Sequence, residues 1–270
     1  MNKGKNQTTT IQKDSVRAVD RAIEILQVFT FEDPEHTLAQ ICAQTNLPKT
    51  TVFRILATLE QNNLIVQHPE TGKYRLGYEI IKMGAIAQES NSLKRTAAAE
   101  MEEISRVTEQ TCNLYVRDGF ERLCIAQVMG AQYVRRYSYL GARHPLYCGA
   151  GKLLLAYAGK EFQSRFFESV KLERITEHTV TDRAQLEREL EQIRRDGFSV
   201  TRGERDASTA MVSVPLFDYT QHVVASITVS GPVYYFEEQK VASYLEELQR
   251  AAGRISRKLG YRCSQPILIE

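Results

Sequence analysis

The stretch TLAQICAQTNLPKTTVFRILATL, residues 37–59, decides how the first part of the chain folds. Thr37 followed three residues later by Gln40 is a capping-box pattern: hydroxyl and amide satisfy each other's orphan backbone N–H groups and start a helix. Leu38, Ile41 and Cys42 share a face of that helix. Asn46 accepts the left-handed conformation that ends a helix, and Pro48 suits the first turn of the next. Val52, Ile55, Leu56 and Leu59 then recur at i, i+3, i+4 and i+7, an apolar stripe that demands a core. The other side carries Lys49, Thr50, Thr51 and Arg54, with no acid before Glu60. Taken alone, the pattern is an ordinary helical hairpin with a solvated face. Joined to the segment from Leu64 to Leu76, it is a helix-turn-helix whose second helix can enter the major groove.

That segment reads as a β-hairpin. Leu64-Ile65-Val66 alternates into His68, Pro69-Glu70-Thr71-Gly72 turns, and Lys73-Tyr74-Arg75-Leu76 alternates back. A period of two points Lys73 and Arg75 the same way, so this hairpin is a wing whose cations reach phosphates. Upstream, Val19, Ala22, Ile23 and Leu26 make the predicted stripe of a supporting helix, and Arg17 adds a cation beside it. Residues 1–80 hold nine Lys/Arg and nine Asp/Glu, so DNA binding rests on where the cations sit.

At 270 residues and 43% hydrophobic, the chain has room for two cores, and no apolar run approaches the ~20 residues of a membrane span. The N-terminus lacks an apolar signal-peptide core, which predicts a loose tail over residues 1–14 and a cytoplasmic protein. Cys42, Cys112, Cys124, Cys148 and Cys263 are widely spaced, with no CxxC pair, and read as reduced, mostly buried thiols. The winged helix spans residues 15–77 in this reading. An apolar linker helix over residues 78–90 packs against a second copy. Residues 91–264 form another domain.

That domain opens with a helix over residues 93–110. The period then switches to alternation: a strand at 112–116, its hairpin partner at 122–128, and a third strand over 133–140. Residues 141–145 read as a loop, 149–158 as a short helix, 181–195 as a charged helix closed by Gly197. Strands at 210–217 and 223–229 precede a final helix over 237–259. Strands flanked by helices at both ends predict an α+β domain with a mostly antiparallel sheet.

SVRAVDRAIEILQVF, LPKTTVFRILATL, YRLG, GARHPLYCGAGKLLLA and VPLFDYTQHVVASITVSGP together resemble the IclR family of bacterial transcriptional regulators. The resemblance runs from residue 15 to about residue 260. It implies a winged helix, a linker helix and a GAF-like α/β effector-binding domain. It also implies a one-component regulator, a repressor by family habit, that binds a near-palindromic operator as a dimer or dimer of dimers and senses a small organic acid.

The turn Gly149-Ala150-Gly151-Lys152 presents backbone N–H groups where a carboxylate can approach. It is not a phosphate-binding P-loop, because Leu146 and Leu153 stand where that loop needs Gly and Ser or Thr. A close helix–sheet contact would ask for the same glycines. On the strand from 223 to 230, Ser226, Thr228 and Ser230 share one face, which suits either a solvated surface or a polar floor under a ligand. Matched to the family, Gly149 and Ala150 are backbone donors and Thr228 and Ser230 are floor hydroxyls. The family often has Asp at Thr201, Cys at Met211 and Gly at Ser208. A wall so altered predicts a larger or more hydrophobic acid, an aromatic one among the candidates. Arg143 and His144 are candidates to balance a second carboxylate, against a solvated loop as the role of each taken singly. Cys148 near His144 is a weak case for a thiol nucleophile, and His144, Cys148 and Glu204 follow no zinc spacing. The chain therefore reads as a non-enzyme with no cofactor, no metal and no membrane partner. The rival is a sensor that works through protein partners without binding DNA.

Overall fold

The computed structural model describes residues 16–131 and 139–262. The expected N-terminal tail and nearly all of the expected strand over 133–140 lie outside the described residues. The chain divides into two compact units, one ending at Ser90 and the other starting at Asn91.

The first unit contains α1 (Arg17–Gln27), α2 (Leu38–Thr45), α3 (Lys49–Gln61), β1 (Ile65–Gln67), β2 (Tyr74–Leu76) and α4 (Tyr78–Ser90). Both halves of the capping box form: the Gln40 N–H donates to Thr37 Oγ1 at 3.3 Å, and the Thr37 N–H donates to Gln40 Oε1 at 2.8 Å. Such a cap contributes about 1 kcal/mol. Asn46 ends α2 at φ 56°. Val52, Leu56 and Leu59 of α3 join Ile25, Ile41, Ile65 and Tyr74 in one core. β1 and β2 pair antiparallel, and a bridge from His36 to Tyr74 adds a third short strand segment to this wing.

The stripe predicted for α1 is rotated. Ile25 is fully buried with Ala22 and Leu26 against it, whereas Val19 and Ile23 are exposed together with Val16. The helix has two apolar faces, Ala22-Ile25-Leu26 and Val16-Val19-Ile23, and periodicity alone cannot say which one meets α3. No residue of α4 is buried within its unit, where Tyr78, Ile81, Met83 and Ile86 all stay exposed.

The second unit begins with α5 (Ser92–Thr108), capped by the Asn91 side chain, which accepts from the Lys94 N–H at 3.0 Å. Then come β3 (Thr111–Asp118), β4 (Glu121–Val128), β5 (Arg143–Pro145), α6 (Gly151–Ala156), α7 (Lys160–Ser169), α8 (Arg183–Asp196), β6 (Ser199–Arg202), β7 (Thr209–Phe217), β8 (Val223–Pro232) and α9 (Glu238–Lys258). The six strands form one antiparallel sheet in the order β5-β4-β3-β8-β7-β6. Residues 143–145, expected in a loop, pair with β4 instead. α7 and β6 answer to no sequence expectation: α7 is anchored through Phe166, and β6 is an edge strand of four residues.

The sheet has two unlike faces. Leu114 of β3, Val212 and Val214 of β7 and Ile227 and Val229 of β8 pack with Met101 and Ile104 of α5 and Leu248 and Ile255 of α9. Tyr115, Cys124 and Met211 point the other way, against Leu153 and Leu155 of α6 and Leu186 and Leu190 of α8. That second face carries the residues predicted to meet an effector.

Candidate DNA interface and effector site

The capped turn between α2 and α3 sets the start of α3, so Lys49, Thr50 and Arg54 all emerge on its exposed side, with Thr51 half-buried. Arg54 lines a cleft of about 390 Å³ with Arg21 of α1, Thr51 and Thr58. Arg17 is exposed at the first position of α1, and Arg75 is exposed on β2. Lys73 lies one residue before β2 and is half-buried. Glu60 Oε1 accepts from the Gln67 N–H at 3.1 Å, which ties the end of α3 to the wing.

In the second unit, register aligns the predicted effector residues. Thr201, Met211 and Ser230 are cross-strand neighbours in one row. Ser199, Ser213, Thr228, Asn113 and Gln127 make the next row on the same face. Every one of these except Gln127 is buried, so the hydroxyls predicted on β8 are not a solvated surface. Gln127 Nε2 donates to Asn113 Oδ1 and Asn113 Nδ2 to Ser230 Oγ, each at 2.8 Å. That leaves the Ser230 proton free to donate elsewhere. Thr228 Oγ1 donates to Ser213 Oγ at 2.9 Å, so its own proton is engaged within the floor.

Gly149 closes this face from above. Its φ of +55° suits glycine, and a Cβ there would lie 3.3 Å from Met211 Sδ and 3.2 Å from Arg122 Nη2. Gly149 and Met211, far apart in sequence, are therefore in contact, and Ala150 beside them is fully buried. The Gly149 N–H already has an acceptor: Glu204 Oε2 at 2.8 Å. Glu204 also bonds the Lys152 ammonium, which in turn reaches Glu189 Oε2 at 2.6 Å. Lys152 is itself fully buried, so an internal carboxylate holds the turn in place. Burial raises the Glu204 pKa, against the pull of Lys152 and the Gly149 N–H.

Two sequence expectations are corrected. Arg143 is exposed and ion-paired with Asp118, with Glu121 at 3.7 Å, so its charge is engaged at the β3–β4 hairpin. His144 is pushed down to about 3 by burial, then by Arg122 and Arg205, and a neutral imidazole cannot balance a carboxylate. Burial also pushes the Cys148 thiol up, which removes the thiolate a nucleophile needs. The sequence reading missed Arg122 altogether. It is fully buried on β4, its guanidinium carbon 5.2 Å from the Tyr115 ring centre, with Nη1 donating to the carbonyl oxygens of Cys148 and Pro145. The only hint was a cation at the start of a mostly apolar strand, which reads equally well as a hairpin end.

Comparison with known proteins agrees across the chain. The family model for the IclR helix-turn-helix domain matches residues 18–69, and that for the bacterial transcriptional regulator IclR C-terminal domain matches residues 86–257. The HTH-type transcriptional regulator KdgR of Escherichia coli is 32% identical over 251 residues, covering 93% of this chain and 95% of KdgR. The HTH-type transcriptional repressor AllR of the same species is 28% identical over 257 residues, 95% of each. Among solved structures, an IclR homolog from Microbacterium hydrocarbonoxydans complexed with 4-hydroxybenzoate matches with a TM-score of 0.78 at 24% identity, covering 90% of this chain and 99% of its own. At that identity the likeness speaks for the fold.

Proposed function

This chain belongs to the IclR family of bacterial transcriptional regulators, ligand-responsive DNA-binding proteins rather than enzymes, and on that footing we propose how its residues divide the work. Lys49, Thr50, Thr51 and Arg54 read base edges in the major groove, while Arg17, Lys73 and Arg75 hold flanking phosphates. Two copies, or two pairs, place their α3 helices about one DNA turn or a multiple apart on a near-palindrome. The exposed apolar rows of α1 and α4 are the surfaces such a second copy would cover. The protein acts as a repressor in the cytoplasm, and among the described residues no helix is long and apolar enough to cross a membrane.

The effector is a small organic acid lying between Gly149-Ala150 and the floor of Thr201, Met211, Thr228 and Ser230. One observation carries this reading: a row of hydroxyls with Asn113 is buried on a sheet face rather than solvated, and a glycine abuts its Met211. The homolog seen with 4-hydroxybenzoate supports an aromatic acid, in keeping with the larger, more apolar wall that Thr201 and Met211 make. Ligand binding shifts operator affinity only as far as it prefers one of two protein states.

The test is a footprint of the purified protein on its own upstream region, with and without a panel of organic acids that includes 4-hydroxybenzoate. A protected near-palindrome whose affinity moves with one acid is the expected result. Protection that no acid changes would remove the effector assignment, and no protection at modest salt would remove the DNA-reading residues.

A further inference from the structure

A fully buried guanidinium is costly unless its charge and its N–H groups are satisfied. Arg122 directs Nη1 to the Cys148 and Pro145 carbonyls, but Nε and Nη2 have no hydrogen-bond partner among the described residues. Those two nitrogens form one edge of the guanidinium, the fork that donates to both oxygens of a carboxylate in parallel hydrogen bonds. Among the described residues no carboxylate is paired with Arg122. Glu204, the buried acid of this region, is held by Lys152 and the Gly149 N–H instead.

The free edge reaches the backbone of the turn at Gly149. Nη2 lies 3.2 Å from where a Gly149 Cβ would stand, and that same position is 3.3 Å from Met211 Sδ. A side chain at 149 would crowd both atoms, so glycine is what lets the turn come up against the guanidinium edge and the row of Thr201, Met211 and Ser230. Buried polar atoms without partners collect on the same face: His144 Nε2, on the residue paired across strands with Arg122, and Ser226 Oγ, on the residue paired with Tyr115. The field of Arg122 also helps keep His144 neutral, so its imidazole offers a hydrogen bond and no charge.

We propose that Arg122 is the carboxylate receptor of the effector site, its Nε/Nη2 edge gripping the ligand's carboxylate in a bidentate pair beside Gly149. The proposal rests on the effector reading of this site and adds the residue that receives the acid: a guanidinium fork selects a carboxylate over the matching amide. A backbone brace would need only Nη1, so the unused edge separates recognition from mere support.

The experiment uses the full-length protein, Arg122→Lys and Arg122→Met, each first checked for native circular dichroism and unchanged operator binding without ligand. Binding is measured by calorimetry for acetate, pyruvate, benzoate and 4-hydroxybenzoate, each beside its amide, and for inorganic phosphate. At least one acid is expected to bind wild type while its amide does not. Arg122→Lys, which keeps the charge and can still reach a carbonyl, should lose about ten- to a hundredfold in that affinity. Should Arg122→Met fail to fold, Arg122→Lys alone decides the matter. Equal acid affinity in wild type and Arg122→Lys would overturn the proposal and leave the effector reading standing. So would an amide that binds as well as its acid. Phosphate binding in place of any acid would overturn the carboxylate class, and no binding by any probe would overturn the proposal while an operator footprint still stood.

Discussion

Replacing Lys152 by Met removes a cation that two carboxylates share inside the effector domain. The Lys152 side chain is 2% exposed and that of Glu204 11%, whereas Glu189 at 35% can turn toward water. The damage therefore falls on Glu204. Removing one partner of a buried ion pair costs about 3–5 kcal/mol, because the other charge stays buried and unpaired. Met fills the volume of the lysine stem, so little of that cost is packing. Glu204 has one escape, which is to take up a proton. Burial already raises its pKa, and loss of Lys152 raises it further. A carboxyl whose folded pKa stands above its unfolded value contributes stability that is complete below the unfolded pKa and is lost as pH rises from there through the folded pKa. The deficit of the variant should thus be largest at pH 8 and shrink toward pH 5, by up to about 1.4 kcal/mol per pH unit. At about 2–4 °C per kcal/mol for a domain of this size, the pH 8 loss corresponds to roughly 6–20 °C in the transition of the effector domain, read by calorimetry on the whole chain. Adding Glu204→Gln should recover most of it, since the amide oxygen can still accept from the Gly149 N–H. A loss under about 1 kcal/mol at pH 8, or a double variant no better than the single, would refute the reasoning.

The same geometry sets three further outcomes. Arg54→Ala should weaken specific operator binding by about 1–3 kcal/mol with fold and assembly intact, and an unchanged footprint affinity would remove Arg54 from the base-reading set. Ser230→Ala together with Thr228→Val should abolish the response to acid while DNA binding stays; a retained response puts the ligand elsewhere. His144 takes up its proton near 6.5 when unfolded but only near 3 when folded, so its contribution is complete above pH 6.5 and is lost as pH falls toward 3. Denaturation at pH 7, 5 and 4 should show a shallower acid loss in His144→Asn than in wild type, and parallel curves would mean that the folded imidazole protonates freely.

The parts legible in sequence were those whose cause is local. Thr37 with Gln40, Asn46 and Gly197 mark helix ends through their own backbone bonds, and the structure has each as read. Alternation on β8 likewise told its two faces apart, though not that the hydroxyl face would be covered. What stayed hidden depends on distant partners. Residues 143–145 carry too short and too proline-marked a signal for a strand, and become one because β4 offers an edge. Arg122 is silent in sequence because its acceptors, Pro145 and Cys148, reach it only through that pairing. The facing of α1 was misjudged for the same reason: both its stripes are apolar, and only α3 selects between them.

The two-faced sheet also bears on how such a regulator can change its guest over evolutionary time. On β8 the even positions Ser226, Thr228 and Ser230 face the proposed effector site and the odd positions Ala225, Ile227 and Val229 face α5 and α9; on β7 Met211 and Ser213 stand against Val212 and Val214 in the same way. Substitutions at one parity re-tune chemistry, and those at the other cost stability. A lineage can thus try a new acid by single changes on one side of each strand without loosening the scaffold, whereas a one-residue slip would exchange the two roles wholesale.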